Sequence, residues 1–292
     1  MVRSLAILAM SLWACTAGQA QSANDEFRLR ATVQAVIPLA SFSGATTAVD
    51  VDPKFMCQPS HLCAQTTVPA NGVQAKETAP NSVGVPKPAV DLTAGTWKYK
   101  ATTVQPDGTY LDTYSITIKD DGGVWTVTTT WKTPGPVTDV QTLEKGTLIL
   151  RKELFKHFAK PGRPWKRTTN LDFTGNKVTG TTNISGQDKP VAIDLGGPLF
   201  AGAEGSAVTI GCLPLADGYS ATFRNFDIQS QEETLVHVKV VGLERVTVPA
   251  GTFDSYKVEL TSANGRSSYK GIVWIAKDSR TPVKGTGSET VG

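Results

Sequence analysis

Seven basic residues crowd into positions 151–167 (RKELFKHFAKPGRPWKR), where Glu153 is the one acid. Leu154, Phe155, Phe158 and Trp165 are interleaved with them. Cationic heads on long apolar stems, set beside aromatic rings, suit a surface that meets anionic headgroups. The candidate ligand-binding set is therefore Lys156, Lys160, Arg163, Trp165, Lys166 and Arg167. A solvated hairpin whose apolar residues pack on a sheet would use the same residues, and both readings stand at this point.

Other chemistry is sparse. Cys57 and Cys63 bracket a short loop containing His61, a spacing that suits a local disulfide in an oxidising compartment. With His61 they would form an incomplete zinc set, and no other Cys or His lies close in sequence, so no metal is expected. Cys212 sits among apolar neighbours and reads as a buried thiol. Asp120 and Asp121 occupy a Gly-rich turn, and Asp50 and Asp52 lie near Cys57; neither pair approaches the six or more oxygens that calcium takes. Glu244 and Glu259 fall on neighbouring strands as solvated positions. His237 lies on the outward face of a valine-alternating strand, and His157 is embedded in the basic segment. HExxH, Walker, dinucleotide and GxSxG patterns are absent from the sequence, so neither an enzyme nor a cofactor is expected.

Stepping along the chain from its start, residues 1–20 read as a secretory leader. Arg3 gives the positive end, residues 4–14 form a short apolar run, and Gly18-Gln19-Ala20 offers small residues for cleavage. Leu12-Trp13-Ala14-Cys15 also resembles a lipobox, in which Cys15 would carry the lipid. Soluble release and lipid anchoring are the two readings of this end. No apolar run reaches the length of about 20 residues that a membrane-spanning helix needs. Export to the periplasm or the outer membrane follows. A net charge of +3 lacks the concentrated basic footprint of a nucleic-acid partner. Hydrophobic residues at 40% and charged residues at 19% fit a globular rather than a disordered chain.

The elements that must carry these residues are strands. Residues 21–63 hold one alternating stretch at 27–36 and a second near 46–51. Residues 64–90, rich in Pro, Ala and Thr and without an aromatic, read as a flexible linker. From residue 91 to 292 short runs of Thr, Val, Ile, Tyr and Trp alternate with Gly, Pro, Asn and Asp clusters. Trp97, Tyr99 and Ala101 share one face against Lys98 and Lys100; Trp125, Val127 and Trp131 share another. Period two of this kind predicts a sheet with one buried side. Further strands are expected at 109–118, 147–150, 169–173, 178–184, 191–195, 234–241, 253–261 and 267–276, and a weak helix at 199–206. The fold class is all-β, mostly antiparallel.

One set of words in the last third is distinctive in combination. Leu213-Pro214-Leu215 with Gly218-Tyr219 comes first, then Val240 and Glu244. Residues 246–253 (VTVPAGTF) follow, with Lys257-Val258-Glu259, Val273-Trp274-Ile275-Ala276 and Val283-Lys284. Over residues 213–284 this resembles the exported bacterial family catalogued as domain of unknown function 3108. The resemblance implies a rolled antiparallel sheet, half-barrel or β-roll-like, and brings no catalytic residue with it. The words also read as scaffold, since Pro249 and Gly251 make a turn and Tyr256 and Trp274 anchor a core. The functional expectation is a non-catalytic envelope binding module for an apolar or amphiphilic ligand, with anionic lipid as a partner class. The alternatives are an accessory protein that binds other envelope proteins and, more remotely, a hydrolase.

Overall fold

Side chains that alternate between the two sides of an extended chain need a sheet to bury one side, and the described residues build a large one. The computed structural model describes residues 27–38, 83–105, 108–132, 136–158, 166–202, 206–263 and 267–291. Among them the strands are β1 (Phe27–Pro38), β2 (Gly95–Gln105), β3 (Gly108–Asp120), β4 (Val124–Trp131), β5 (Val137–Glu144), β6 (Leu150–His157) and β7 (Arg167–Thr174). They continue as β8 (Lys177–Ile184), β9 (Gln187–Asp194), β10 (Ser220–Asp227), β11 (Glu232–Val248), β12 (Gly251–Ala263), β13 (Ser267–Ala276) and β14 (Pro282–Val291), with one short helix, α1 (Ser206–Gly211).

The sheet order is β10-β11-β12-β13-β14-β1-β2-β3-β4-β5-β6-β7-β8-β9. Every neighbouring pair is antiparallel. Two meanders, β2 to β9 and β10 to β14, thus flank β1, which pairs with β14 on one side and β2 on the other. The all-β antiparallel class expected from alternation is what forms. β9 and β10 end the order, and no ladder joins them. These strands belong to one compact unit; the other, Phe42–Ser82, lies outside the described residues.

One face of the sheet is packed by the connection from β9 to β10. Leu195, Leu199, Phe200, Val208, Ile210, Leu213 and Leu215 of that connection are all buried. Ile149 and Phe200 form an isolated bridge, Leu150 N donates to Leu199 O, and Ala201 N donates to Leu148 O. Phe200 N also donates to Arg224 O, and its ring meets Phe223 edge-on at 5.0 Å. The connection therefore reaches both the β5–β6 turn and β10.

Three local expectations differ from what forms. Of the strand expected at 147–150 only its end forms, since β6 begins at Leu150: Leu148 takes a left-handed φ of 56° and donates its N–H to Glu144 O, so the chain reverses there. Phe200 bridges Ile149 beside that turn, and the helix begins only at Ser206. Ala201 takes a left-handed φ of 59°, which a right-handed helical turn does not admit. Near the expected linker, Ala89 and Val90 both donate to Cys212 O, which fixes residues 89–90 beside α1. The strand near 46–51, linker residues 64–82, the leader with Cys15, and the Cys57–Cys63 loop with His61 lie outside the described residues.

Candidate functional site

Register lines up the buried side chains of β2 to β8 in four successive rows. The first is apolar, with Trp125 opposite Leu143, Leu143 opposite Leu150, and Phe173 opposite Val178. In the second, Ile118, Val127, Gln141, Glu153 and Leu171 follow one another across the strands. The third runs Ile116, Thr129, Asp139, Phe155, Thr169 and Thr182. The fourth runs Tyr99, Tyr114, Trp131, Val137, His157 and Arg167. One face thus passes from hydrocarbon to carboxyl, amide and hydroxyl, and then to aromatic and cationic side chains.

The polar rows are as deeply enclosed as the apolar one. Glu153 and Gln141 are 0% exposed, Asp139 is 1% exposed, and His157, Thr129, Thr169 and Thr182 are all buried. Strand alternation puts them there. On β5, Asp139 and Gln141 share a face with Leu143, and on β6, Glu153 and His157 share a face with Phe155.

Gln141 ties the cluster together. Its Nε2 donates to Asp139 Oδ2 at 3.0 Å and lies 3.2 Å from Glu153 Oε1, while its Oε1 accepts from Gly202 N at 3.1 Å. A Cβ on residue 202 would lie 2.6 Å from Gln141 Nε2 and 2.9 Å from Glu153 Oε1, so only glycine lets the backbone close over the amide. The carboxyls of Asp139 and Glu153 also face each other, an arrangement that a proton shared between them stabilises. Burial pushes the Asp139 carboxyl up to about 7, against the lowering effect of the bonds from Glu153 and Gln141. Asp139 Oδ1 and, one row on, Trp131 Nε1 are buried and find no hydrogen-bond partner among the described residues.

Beside this cluster stands an aromatic wall. The Tyr99 and Tyr114 rings stack at 4.9 Å, and Tyr114 stacks on Trp131 at 6.3 Å. The arrangement can accept hydrogen bonds deep in the protein, hold or release a proton near neutrality, and offer apolar ring surface alongside. Among the described residues no three His, Cys, Asp or Glu side chains converge as a metal-binding group.

Of the sequence-derived ligand set, Lys156, Lys166 and Arg167 are described, and Lys160, Arg163 and Trp165 lie outside the described residues. Lys156 is half-buried on the opposite face of β6 from Glu153 and His157, and Lys166 is exposed. Arg167 instead packs inward. Its Nη1 donates to Gln229 O at 2.8 Å, its Nη2 to Ile228 O at 3.2 Å and its Nε to Thr169 Oγ1 at 3.1 Å. Asp227 starts the turn it reaches, accepting from Gln229 N and Ser230 N, and burial raises its carboxyl. Arg151 pairs with Glu144 and Lys152 with Asp172, so the basic stretch divides between outward ion pairs and inward hydrogen bonds.

The remaining candidates fall where strand and turn chemistry puts them. Asp120 accepts from Gly122 N and pairs with Lys145, and Asp121 accepts from Thr126 Oγ1, which is turn chemistry. His237 is exposed and bonds Thr222 Oγ1 through Nδ1 at 2.8 Å. Glu244 accepts from Trp274 Nε1 and Lys257, while Glu259 stands opposite Lys239 in the strand register. Cys212 is a buried free thiol, and burial pushes its pKa up to about 12.

Asp139, Gln141, Glu153 and the buried state of His157 escape a reading of the sequence by charge. The available signal was their shared parity with Leu143 and Phe155.

No curated protein and no solved structure matches the chain. Residues 98–292 match a family model, covering every strand from β3 to β14 and nearly all of β2. The chain belongs to the family described as Protein of unknown function (DUF3108).

Proposed function

We propose that this is an exported cell-envelope protein acting as a non-catalytic binding module for an amphiphilic, lipid-like ligand. The observation that carries the reading is the pair of buried polar atoms, Asp139 Oδ1 and Trp131 Nε1, without a partner among the described residues and beside an aromatic wall. A buried polar atom without a partner costs about 1–3 kcal/mol, so a fold under selection for stability alone would replace it. A molecule with a polar head and an apolar body satisfies both halves of that environment.

A rolled sheet is part of this reading. β7 and β8 meet the β10–β11 turn through Phe173 on Phe226, Arg167 on Ile228 and Gln229, and Gln231 on Thr182. Such contacts support a half-barrel whose seam is closed by side chains. Side-chain contacts open at lower cost than a ladder, giving the polar rows a route to the outside. Lys156 and Lys166, the described basic residues of the candidate set at the β6–β7 end besides Arg167, would meet anionic headgroups there.

Native mass spectrometry of the protein purified from its own host envelope tests the reading. A discrete retained mass of lipid-like size is the expected result, and a bare polypeptide would overturn it. One observation favours the accessory-protein alternative: Leu199, Phe200, Ile210 and Leu213 fill the apolar end of the face. A bare polypeptide that cross-links to envelope proteins would establish that alternative.

A further inference from the structure

Resting on the binding-module reading, we infer that the head of the ligand is a hydrogen-bond donor without negative charge, an ammonium or a hydroxyl, and that it docks on Asp139 Oδ1.

The charge balance of the buried rows carries this. Each element packed around Asp139 contributes a known group. β5 supplies Gln141, already donating to Asp139 Oδ2, and β6 supplies Glu153 and His157. β4 supplies Thr129, directly opposite Asp139, and β7 supplies Thr169. The β9–β10 connection brings Gly202, whose N–H is committed to Gln141. The nearest guanidinium on this face, Arg167, has donors on all three nitrogens engaged by Gln229 O, Ile228 O and Thr169 Oγ1. Two carboxyl groups face this place and the Arg167 guanidinium is committed elsewhere, so an anionic head would lose its hydration and meet acceptors rather than donors. A donor head meets the opposite situation, because Asp139 Oδ1 is an acceptor already stripped of water and lacking a partner among the described residues. An ammonium gains most, as a charge-assisted bond in a low-dielectric site. A hydroxyl gains differently, since it can also accept from Trp131 Nε1.

The two donor heads are separable by experiment. The full chain is titrated with three straight-chain amphiphiles of equal length, an alkylamine, an alkanol and an alkanoate, each below its micelle concentration. Amine and alcohol are expected to bind at least about tenfold more tightly than the carboxylate, a gap that one charge-assisted bond readily supplies. Amine binding should strengthen from pH 6 to pH 8, as the shared proton leaves. Asp139→Asn keeps the shape of the side chain and should abolish the preference of amine over alcohol. Trp131→Phe keeps the ring and should weaken the alcohol alone. Carboxylate binding equal to that of the donors, or an unchanged ranking in Asp139→Asn, would overturn the inference while leaving a binding module in place. Binding of none of the three would overturn the module itself, water being then the partner of both orphaned atoms.

Discussion

The two ends of one sheet face solve opposite problems. At one end Trp125, Leu143, Leu150, Phe173 and Val178 share one buried apolar cluster with Phe200 and Phe226. Hydrocarbon on hydrocarbon stabilises at roughly 25 cal/mol per Å² removed from water, and no hydrogen bonds need to be arranged. At the other end the same depth of burial encloses Asp139, Gln141, Glu153, His157, Thr129, Thr169 and Thr182. There the fold must supply a partner for every polar atom, and Asp139 Oδ1 and Trp131 Nε1 have none among the described residues. Buried ionic groups of this kind are weak contributors to stability, and well-packed apolar residues often serve as well or better. Burial alone therefore does not separate core from site. Burial together with unmet hydrogen-bonding capacity beside apolar rings is what the proposed binding role rests on.

The sharpest way to break the comparison is to empty the apolar end. Phe200 is fully buried, bridges Ile149 and packs edge-on against Phe223. Phe200→Ala should cost about 3–5 kcal/mol, the sum of lost transfer energy and the cavity left behind. Urea unfolding would read this as a lower midpoint with an unchanged slope. A cost under about 1 kcal/mol would mean that the β9–β10 connection is not the filling it is taken to be.

At the polar end the expected effect is smaller and depends on pH. Burial raises the Asp139 carboxyl from 3.8 to about 7 in the folded protein. A carboxyl with a raised folded pKa binds its proton more tightly in the native state than in the unfolded one. Its contribution to stability is therefore complete below about pH 4 and is lost progressively as pH rises to about 7. Asn in that place keeps an oxygen for the Gln141 amide and a donor for Glu153, without a proton to lose. Asp139→Asn should flatten the fall in stability between pH 4 and 7. By pH 8 the variant should exceed the wild type by at least about 1 kcal/mol, the worth of one pKa unit. Urea midpoints across that range check it, and parallel pH profiles would show that Asp139 is not the proton-holding group.

Sequence and structure agree where one rule decides and part where two compete. Trp125, Val127 and Trp131 alternate with threonines, so period two was enough to give β4 its buried side. His237, among alternating valines on β11, was legible for the same reason. On β5 and β6 the rule is ambiguous. Val140 competes with Asp139, and Leu154 with Glu153, for the inward position, and moving the register by one residue exchanges the whole set. Charge favours Asp139 and Glu153 facing water; packing of Leu143 and Phe155 prevails and carries the acids inside. The turn before β6 leaves no signal in the sequence, since Leu148, buried in a left-handed conformation, has nothing in its residue type to announce it. Arg167 was counted with its basic neighbours because a guanidinium used on main-chain carbonyls 228 and 229 leaves no trace in local sequence.

The smallest effect concerns the outer end of the polar half, where β6 and β7 finish. Phe158 is 47% exposed there and Ile184 37%, beside Lys166 and the half-buried Lys156. Exposed cations next to exposed apolar groups favour an anionic bilayer surface, each charge contributing up to about 1 kcal/mol at low salt. Such binding should fade as ionic strength shortens the screening length from about 30 Å to about 8 Å. Lys156, Lys160, Arg163 and Lys166 replaced together by glutamine should weaken binding to anionic vesicles by at least about tenfold while leaving the urea midpoint within about 0.5 kcal/mol of wild type. Arg167 stays out of that variant because its hydrogen bonds hold the β10–β11 turn, and its loss would confuse folding with binding. Cosedimentation with vesicles at two salt concentrations supplies the measurement. Equal binding by wild type and variant would leave the basic segment as a solvated hairpin, and the polar half would then have to receive its ligand without help from a membrane surface.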